Sequence, residues 1–413
     1  MALFRFLHAA DLHIDSPLIG LARKSKDFAS RVDDASRRAF DNLIALAVEE
    51  ECQFVVVAGD LFDGQWRDYR TGLYFVDRMR RLKDAGIRVY LILGNHDAEN
   101  RFVSRLEYAE NVRVFSHRKP ETVRVEGLDA VIHGRSFPQR DVSENIAKDY
   151  PAPVSGCFNI GLLHTACTGR DGHALYAPCT IEQLVNHGYD YWALGHVHAR
   201  EVVQEHPYIV YSGNLQGRNP RETGPKGATL VTVDDGRVAG VEERALDAIR
   251  WSVESIDVGA CTDMPAVHAV VRERIEQARD AAAGRGLALR LRLVGRTPTH
   301  NEIIRAGDRL REEIETMAAM ISDEIWIERI EVKTSPLLGR ETTDPTVAGR
   351  LRLIVEQFSS DPAFMDLLEK KLGEVSAKAP DAAHADELFG AIRAEGPARA
   401  VTLALSLIES GQE

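Results

Sequence analysis

Phe54-Val-Val-Val-Ala58-Gly59-Asp60-Leu-Phe-Asp63 is the stretch on which the reading of this chain turns. Five apolar residues, three of them β-branched, end on a glycine and a carboxylate, the pattern of a buried strand that stops at a polar crevice. The same grammar stands on either side. Phe4 to Ala10 runs into Asp11-Leu-His13, and Val89-Tyr-Leu-Ile-Leu93 runs into Gly94-Asn95-His96-Asp97. Between these runs lie segments of helical period, Ala35 to Glu50 with Phe40, Ile44 and Val48 on one face, and Tyr69 to Asp84 with Leu73, Val76 and Leu82. The alternation predicts a βαβαβ unit whose ligand crevice lies beyond the carboxyl ends of its strands, where the motifs converge.

Further along, strands are expected at Thr122 to Val125, Ala130 to His133, Phe158 to His164, Tyr191 to Gly195, Tyr208 to Tyr211 and Ala228 to Val233. Two of them end on a histidine, His164 and His196. A catalytic domain over residues 1–250 accounts for this part. Past Trp251 the pattern becomes strand, helix, strand, helix, strand, with Val267, Val271 and Ile275 on one helix face, Ile303, Leu310, Ile314, Met317 and Ile321 on another, and alternating Leu287, Leu289, Leu291 and Leu293 between them. A last strand fits Ile325 to Val332, which closes a small α+β domain over 251–335. Ser335 to Asp344, with Pro336 and Gly339, reads as a linker, and residues 345–413 read as a helical tail with apolar stripes at Leu351, Ile354, Val355, Phe358, Leu403 and Leu407.

Composition limits what such a chain does. At 413 residues, 44% hydrophobic and 28% charged, it is sized for two or three domains, and its longest apolar runs fall far short of a membrane span. The N-terminus shows no basic and then apolar leader, and Cys52, Cys157, Cys167, Cys179 and Cys261 share no Cys-x-x-Cys spacing, so a cytoplasmic protein with reduced thiols is expected. A formal net charge of −12 opposes a surface that coats a polyanion, and a nucleic-acid substrate would need a local basic strip.

The strand-end motifs offer carboxylates, an amide and imidazoles, the donors that hard divalent cations need in order to activate water. Asp11 and His13, at i and i+2 on an extended chain, would share one side; alone, the pair reads as a solvated turn. Asp60, after a glycine, can offer one oxygen to each of two ions. Asp63 either orients a neighbour or is an ordinary turn carboxylate. Asn95 leaves an ion Lewis acidic, and His96 is aimed differently, free to donate a proton to a leaving oxygen with Asp97 fixing its tautomer. A lone His164 on an apolar strand reads as a core residue until its neighbours are counted. His196 and His198, again at i and i+2, could serve different ions. His8, His133, His173 and His187 take the core or surface reading, with His173 in a Gly-rich loop after His164 as the strongest of the four.

In order and spacing these motifs resemble the calcineurin-like metallophosphoesterase superfamily, and within it the DNA repair exonucleases of the SbcD and YhaO type. Tyr189-Asp-Tyr-Trp-Ala-Leu-Gly-His196-Val-His198, Gly213-Asn-Leu-Gln-Gly217 and Arg221-Glu-Thr-Gly-Pro-Lys226-Gly carry the likeness to the YhaO branch. The resemblance implies a four-layer αββα sandwich followed by a small α+β capping domain and the helical tail. It places Asp11, His13, Asp60 and His198 on one metal and Asp60, Asn95, His164 and His196 on the other, with His96 as the catalytic histidine and manganese as the usual ion. The donor set by itself would also accept iron, zinc or cobalt. Position 63 departs from archaeal and eukaryotic relatives, which carry a second histidine there. The resemblance also implies a coiled-coil ATPase partner of the SbcC and YhaN type, and leaves a homodimer open.

Hydrolysis of DNA phosphodiesters by two divalent ions is therefore expected, with Arg170, Arg218, Arg221 and Lys226 as candidates for the basic strip. The same core serves small nucleotides, phosphodiesters and phosphoproteins, and a subunit that scaffolds an ATPase partner is the alternative of another class.

Overall fold

The structure, a computed structural model, describes residues 3–18, 21, 32, 34–63, 69–100, 103, 106–167, 176–336, 366, 370 and 371. Nearly all of the helical tail expected at 345–413 lies outside the described residues, as do Arg170 and His173. Contacts divide the chain into two compact units, the first comprising Met1–Val253, Gln277–Arg290 and Ser322–Glu328, the second Glu254–Glu276, Leu291–Ile321 and the residues from Arg329. Among the described residues no helix is long and apolar enough to cross a membrane.

The expected βαβαβ unit is present as β1 (Phe4–Ala9), α1 (Ala35–Glu49), β2 (Phe54–Ala58), α2 (Arg70–Asp84) and β3 (Arg88–Ile92). It continues through a short helix, α3 (Asn95–Glu99), to β4 (Val112–Val114). Strands β1 to β4 are parallel neighbours, and β11 (Gly227–Asp234) with β12 (Arg237–Ala245) extends the sheet antiparallel beyond β1, giving the order β12-β11-β1-β2-β3-β4. A second six-stranded sheet has the order β5-β6-β7-β8-β10-β9. Its strands are β5 (Glu121–Arg124), β6 (Ala130–Gly134), β7 (Phe158–His164), β8 (Tyr191–Gly195), β9 (Glu201–Glu205) and β10 (Tyr208–Tyr211), and α4 (Ile181–His187) precedes β8.

The strand period of two sorts the side chains into layers. Phe54, Val56 and Ala58 join Phe4, Phe6, Tyr90 and Ile92 in a core shared with Ile132, Ile160, Leu162 and Tyr191 of the second sheet. Val55, Val57, Val89 and Leu91 face the other way, onto Phe40, Leu43 and Ile44 of α1 and Phe75, Met79 and Leu82 of α2. Leu163, Trp192 and Leu194 complete the outer face of the second sheet with Leu184 of α4. These are the four αββα layers, and burial of each such Val, Leu or Phe side chain stabilises the fold by roughly 1.5–3 kcal/mol.

Two positions assigned to helix core faces are exposed, Val48 at 45% and Leu73 at 65%. The buried stripe runs instead through Ala39, Leu43 and Ala47 on α1 and Phe75 on α2, which rotates each helix by part of a turn from the expected register. Toward the C-terminus follow β13 (Ile249–Asp257), α5 (Met264–Ala281), β14 (Gly286–Thr297), α6 (His300–Ile321) and β15 (Ile325–Pro336), with the strands ordered β13-β14-β15. Val267, Val271 and Ile275 of α5, the alternating leucines of β14, and Ile303, Leu310, Ile314 and Met317 of α6 are buried. Ser335 and Pro336, read as linker, belong to β15, which runs past the expected end at Val332.

Candidate metal centre

The carboxyl ends of β1, β2 and β3 deliver Asp11, Asp60 and Asn95, and those of β7 and β8 deliver His164 and His196. The ladder between β1 and β2 continues past the strands: Asp11 N–H donates to Gly59 O at 3.0 Å, His13 N–H to Asp60 O at 3.1 Å and Ile14 N–H to Leu61 O at 2.9 Å. The extended geometry expected for Asp11-x-His13 and His196-x-His198 does not hold. Asp11, His13, Asp60 and His196 have φ of 50°, 43°, 53° and 92°, so the chain turns sharply at the ligands. Left-handed conformations at such residues cost roughly 1–3 kcal/mol each and persist only where the surrounding ladder fixes them.

Glycine before Asp60, Asn95 and His196 has a steric cause. A Cβ on Gly94 would lie 2.2 Å from Asp60 Oδ1, and one on Gly195 would lie 2.0 Å from Ala58 O and 2.9 Å from His164 Nδ1. Gly59 combines a φ of +93° with an approach of 2.6 Å to His164 Nδ1. Strand ends from two sheets can thus meet almost in contact.

Around this junction the side chains present lone pairs to one another. His164 Nδ1 donates to Ala58 O at 2.9 Å, which turns its Nε2 toward Asn95 Oδ1 at 2.9 Å and Asp60 Oδ2 at 3.4 Å. His198 Nδ1 donates to Glu222 Oε1 at 2.9 Å, which turns its Nε2 toward His13 Nε2 at 3.2 Å and Asp11 Oδ1 at 3.8 Å. Acceptors facing acceptors in a buried site call for a cation between them. Burial alone would keep His164 neutral, yet the carboxylates of Asp60 and Asp11 draw its pKa up to about 9, so the site attracts positive charge. Burial, with Arg218 nearby, holds His13 well below its usual value, in the neutral form that ligates. Donor atoms of Asp11, His13 and His198 lie within 4.8 Å of one another, as do those of Asp11, Asp60 and His164. Asn95 joins the second group through His164, and the His196 ring packs edge-on to that of His164 at 5.2 Å while its backbone N–H donates to Asp11. The donor set fits a pair of divalent cations.

His96 lies beside this cluster, its ring 4.9 Å from that of His13. The expectation that Asp97 orients it is corrected by the structure. Asp97 is buried and accepts backbone N–H bonds from Leu61, Phe62 and Gly94 at 3.0 to 3.1 Å, because α3 turns its side chain back to the end of β2. Asp63 takes the role instead: its Oδ1 lies 2.9 Å from His96 Nδ1, while Oδ2 accepts from Ser16 at 2.7 Å and Arg218 at 3.4 Å. The bond His96 donates to Asp63 raises the His96 pKa, and that bond, with His13, Ser16 and Arg218, holds the Asp63 carboxyl well below its usual range despite burial.

Of the proposed basic strip, Arg218 lies at the site. Arg221 is exposed, with its backbone N–H on Asn219 Oδ1. Lys226 does not belong to a surface strip: it is 8% exposed and its Nζ donates to His198 O at 2.9 Å, bracing the ligand loop from behind. Sequence reasoning passed over Glu222, which lies within the quoted Arg221-Glu-Thr stretch. Besides His198, it accepts from Asn214 Nδ2 and Arg218 N, both at 2.8 Å. Burial works against its charge, but the bond from His198 and the charges around it hold its pKa at about 2. The histidines read as core are so: His8 bonds Tyr191 OH and Leu194 O, and His133 bonds Thr122 and Asn159.

Comparison with known proteins agrees with this geometry. The calcineurin-like phosphoesterase family matches residues 4–200, and the middle domain of metallophosphoesterase YhaO matches residues 251–335. The uncharacterized metallophosphoesterase YhaO of Bacillus subtilis is 35% identical over 350 residues, covering 83% of this chain and 85% of that protein. The DNA double-strand break repair protein Mre11 of Methanopyrus kandleri is 29% identical over 60% of this chain and 58% of its own length, and that of Halobacterium salinarum is 26% identical over 74% of each. A donor set built for two cations and this degree of likeness lead to one conclusion: the chain belongs to the YhaO family of calcineurin-like metallophosphoesterases.

Proposed function

We propose that this chain is a two-metal phosphodiesterase that acts on DNA, a DNA repair exonuclease with manganese as its ion. The observation that carries the reading is the pair of facing-acceptor clusters, Asp11 with His13 and His198 and Asp11 with Asp60 and His164, that meet at Asp11. Asp11, His13, Asp60 and His198 would hold one ion, and Asp60, Asn95, His164 and His196 the other. Bound there, divalent ions would activate water and neutralise the phosphate. His96, its Nδ1 held by Asp63, presents Nε2 as proton donor to the departing sugar oxygen. Arg218, beside Asp63 and only 17% exposed, offers its guanidinium to a phosphate oxygen.

DNA as substrate is favoured by the similarity to proteins named for double-strand break repair. A small phosphodiester is the second reading, favoured by the net charge of −12 and by the withdrawal of Lys226 from the surface. Metal analysis combined with product analysis on end-labelled linear duplex, on single-stranded DNA and on a chromogenic phosphodiester separates them. Shortened strands are expected; turnover of the chromogenic diester alone refutes the DNA reading. A coiled-coil ATPase is the proposed partner, and co-purification from the native host tests it.

A further inference from the structure

The rim of the metal centre next to His196 carries a cluster that none of the foregoing roles uses. Tyr176, half-buried, packs its ring on that of His196, with centroids 5.1 Å apart at 61°. Its backbone is tied down on both sides: Tyr176 O accepts from Ala166 N–H at 3.0 Å, Ala177 N–H donates to Val142 O at 2.6 Å, and Ala177 O accepts from the Thr165 hydroxyl at 2.7 Å. Arg140 reaches Glu99 Oε1 at 2.9 Å, at the end of the helix that carries Asn95 and His96, and its guanidinium lies near enough to the Tyr176 side chain to interact with it. The Arg140 side chain is 52% exposed.

A tyrosine that merely walls off a metal ligand needs neither exposure nor a guanidinium on its side chain. Here a fixed aromatic ring stands against a candidate ligand, and a half-exposed cation is held beside it by an acidic partner. Aromatic faces with an adjacent arginine are the means by which proteins hold unpaired bases, since every base has a π-face and the guanidinium can take the neighbouring phosphate. Arg218 lies by Asp63 and acts on His13 through its charge, whereas Tyr176 packs on His196 and Arg140 on Glu99, so the two sets lie against different parts of the centre.

We propose that Tyr176 and Arg140 form a nucleotide subsite that stacks an unpaired base next to the scissile phosphate, so that the enzyme takes frayed or single-stranded DNA ends. This rests on the DNA reading above. The test compares a single-stranded oligonucleotide with an abasic strand of the same length and backbone. Tyr176→Ala is expected to reduce the ratio of kcat/KM on the base-bearing strand to that on the abasic strand by about 5- to 150-fold, the usual span for one lost base–aromatic stack. Tyr176→Phe is expected to keep the ratio within about 3-fold, and Arg140→Ala to lower kcat/KM on both strands by raising KM, as loss of a phosphate contact does. An unchanged ratio in Tyr176→Ala, or equal losses on both strands, overturns the subsite and leaves the DNA reading standing. Wild-type enzyme that cuts linear duplex but neither single strand overturns the subsite alone, and one that cuts no DNA yet turns over a chromogenic diester overturns the DNA reading and the subsite with it.

Discussion

Glu222→Gln is the sharpest perturbation of the proposed ligand geometry, because it removes a charge and almost no volume. In the native site one Glu222 oxygen accepts from His198 Nδ1 and the other accepts from Asn214 and from the Arg218 backbone. Glutamine has one oxygen and one NH2. Turning its oxygen toward His198 sets the NH2 against two donors, so the opposite orientation is favoured, with the NH2 facing His198 Nδ1. That contact is relieved only if Nδ1 loses its proton and Nε2 gains it, and a protonated Nε2 cannot bind a cation. Metal binding then has to restore a donor–donor contact, which costs about 1–3 kcal/mol. Loss of such a partner typically weakens metal affinity about 10- to 100-fold, in agreement with that range. Titration of metal-free protein with Mn2+, followed by calorimetry, should show one of two sites weakened, the one containing Asp11, His13 and His198. Equal weakening of both sites, or none, would refute the tautomer argument.

Other substitutions separate the remaining roles. His96→Ala should abolish nuclease turnover with both ions retained, and Asp63→Asn should lower kcat by roughly one to two orders of magnitude with unchanged metal content, the span expected for a misaligned proton donor. Asp97→Asn should instead lower stability by about 1–3 kcal/mol, read in urea unfolding, because it weakens an acceptor of three backbone N–H groups; the reverse pattern between positions 63 and 97 would restore the sequence-based assignment. Gly94→Ala, whose Cβ would meet Asp60, should yield folded protein by circular dichroism that binds less than its full complement of metal, and full metal content would contradict the packing argument. His8, neutral in the core with its pKa lowered by burial to about 3, is protonated far more readily when unfolded. Its contribution is therefore fully present above pH 6.5 and is lost as pH falls toward 3, at up to about 1.4 kcal/mol per pH unit. Urea unfolding at pH 7 and pH 5 should show a shallower decline in His8→Phe than in wild type, and parallel declines would exclude His8 as a source of acid sensitivity.

What the sequence disclosed were the features carried by short-range pattern. Apolar runs that end on Gly-Asp, Gly-Asn and Gly-His mark both the strands and their ligands, since the requirement for glycine is imposed by the crossing backbone and appears one residue before the ligand. The orientation of Asp63 and Asp97 was not legible. Both are carboxylates near a histidine, and the choice between them is made by α3, whose single turn aims Asp97 at the amides of Leu61 and Phe62. Glu222 was hidden for a related reason: it meets His198 across 24 positions that include β9 and β10, and no periodicity reports a contact between the turns that flank them. The helix faces of α1 and α2 failed at Val48 and Leu73 because small residues, alanine and serine on α1 and Thr71 and Gly72 on α2, are buried there, and a count of large apolar residues overlooks them.

The strained backbone and the buried charges share an explanation. Nine described residues other than glycine have positive φ, and four of them are Asp11, His13, Asp60 and His196. A regular strand would keep Asp11 and His13 on one face but roughly 6.6 Å apart and pointing in parallel, and a helix would spread them by about 200°, so neither can converge them on one point. Left-handed turns can, at a cost the flanking ladder between Asp11, Gly59, His13 and Asp60 offsets. The same convergence forces two carboxylates and several imidazole nitrogens into a volume closed to bulk water, an arrangement that gains nothing for folding by itself. Fold stability comes from the phenylalanine and valine layers on either side, and the junction between the sheets is left free to be shaped by what binds there.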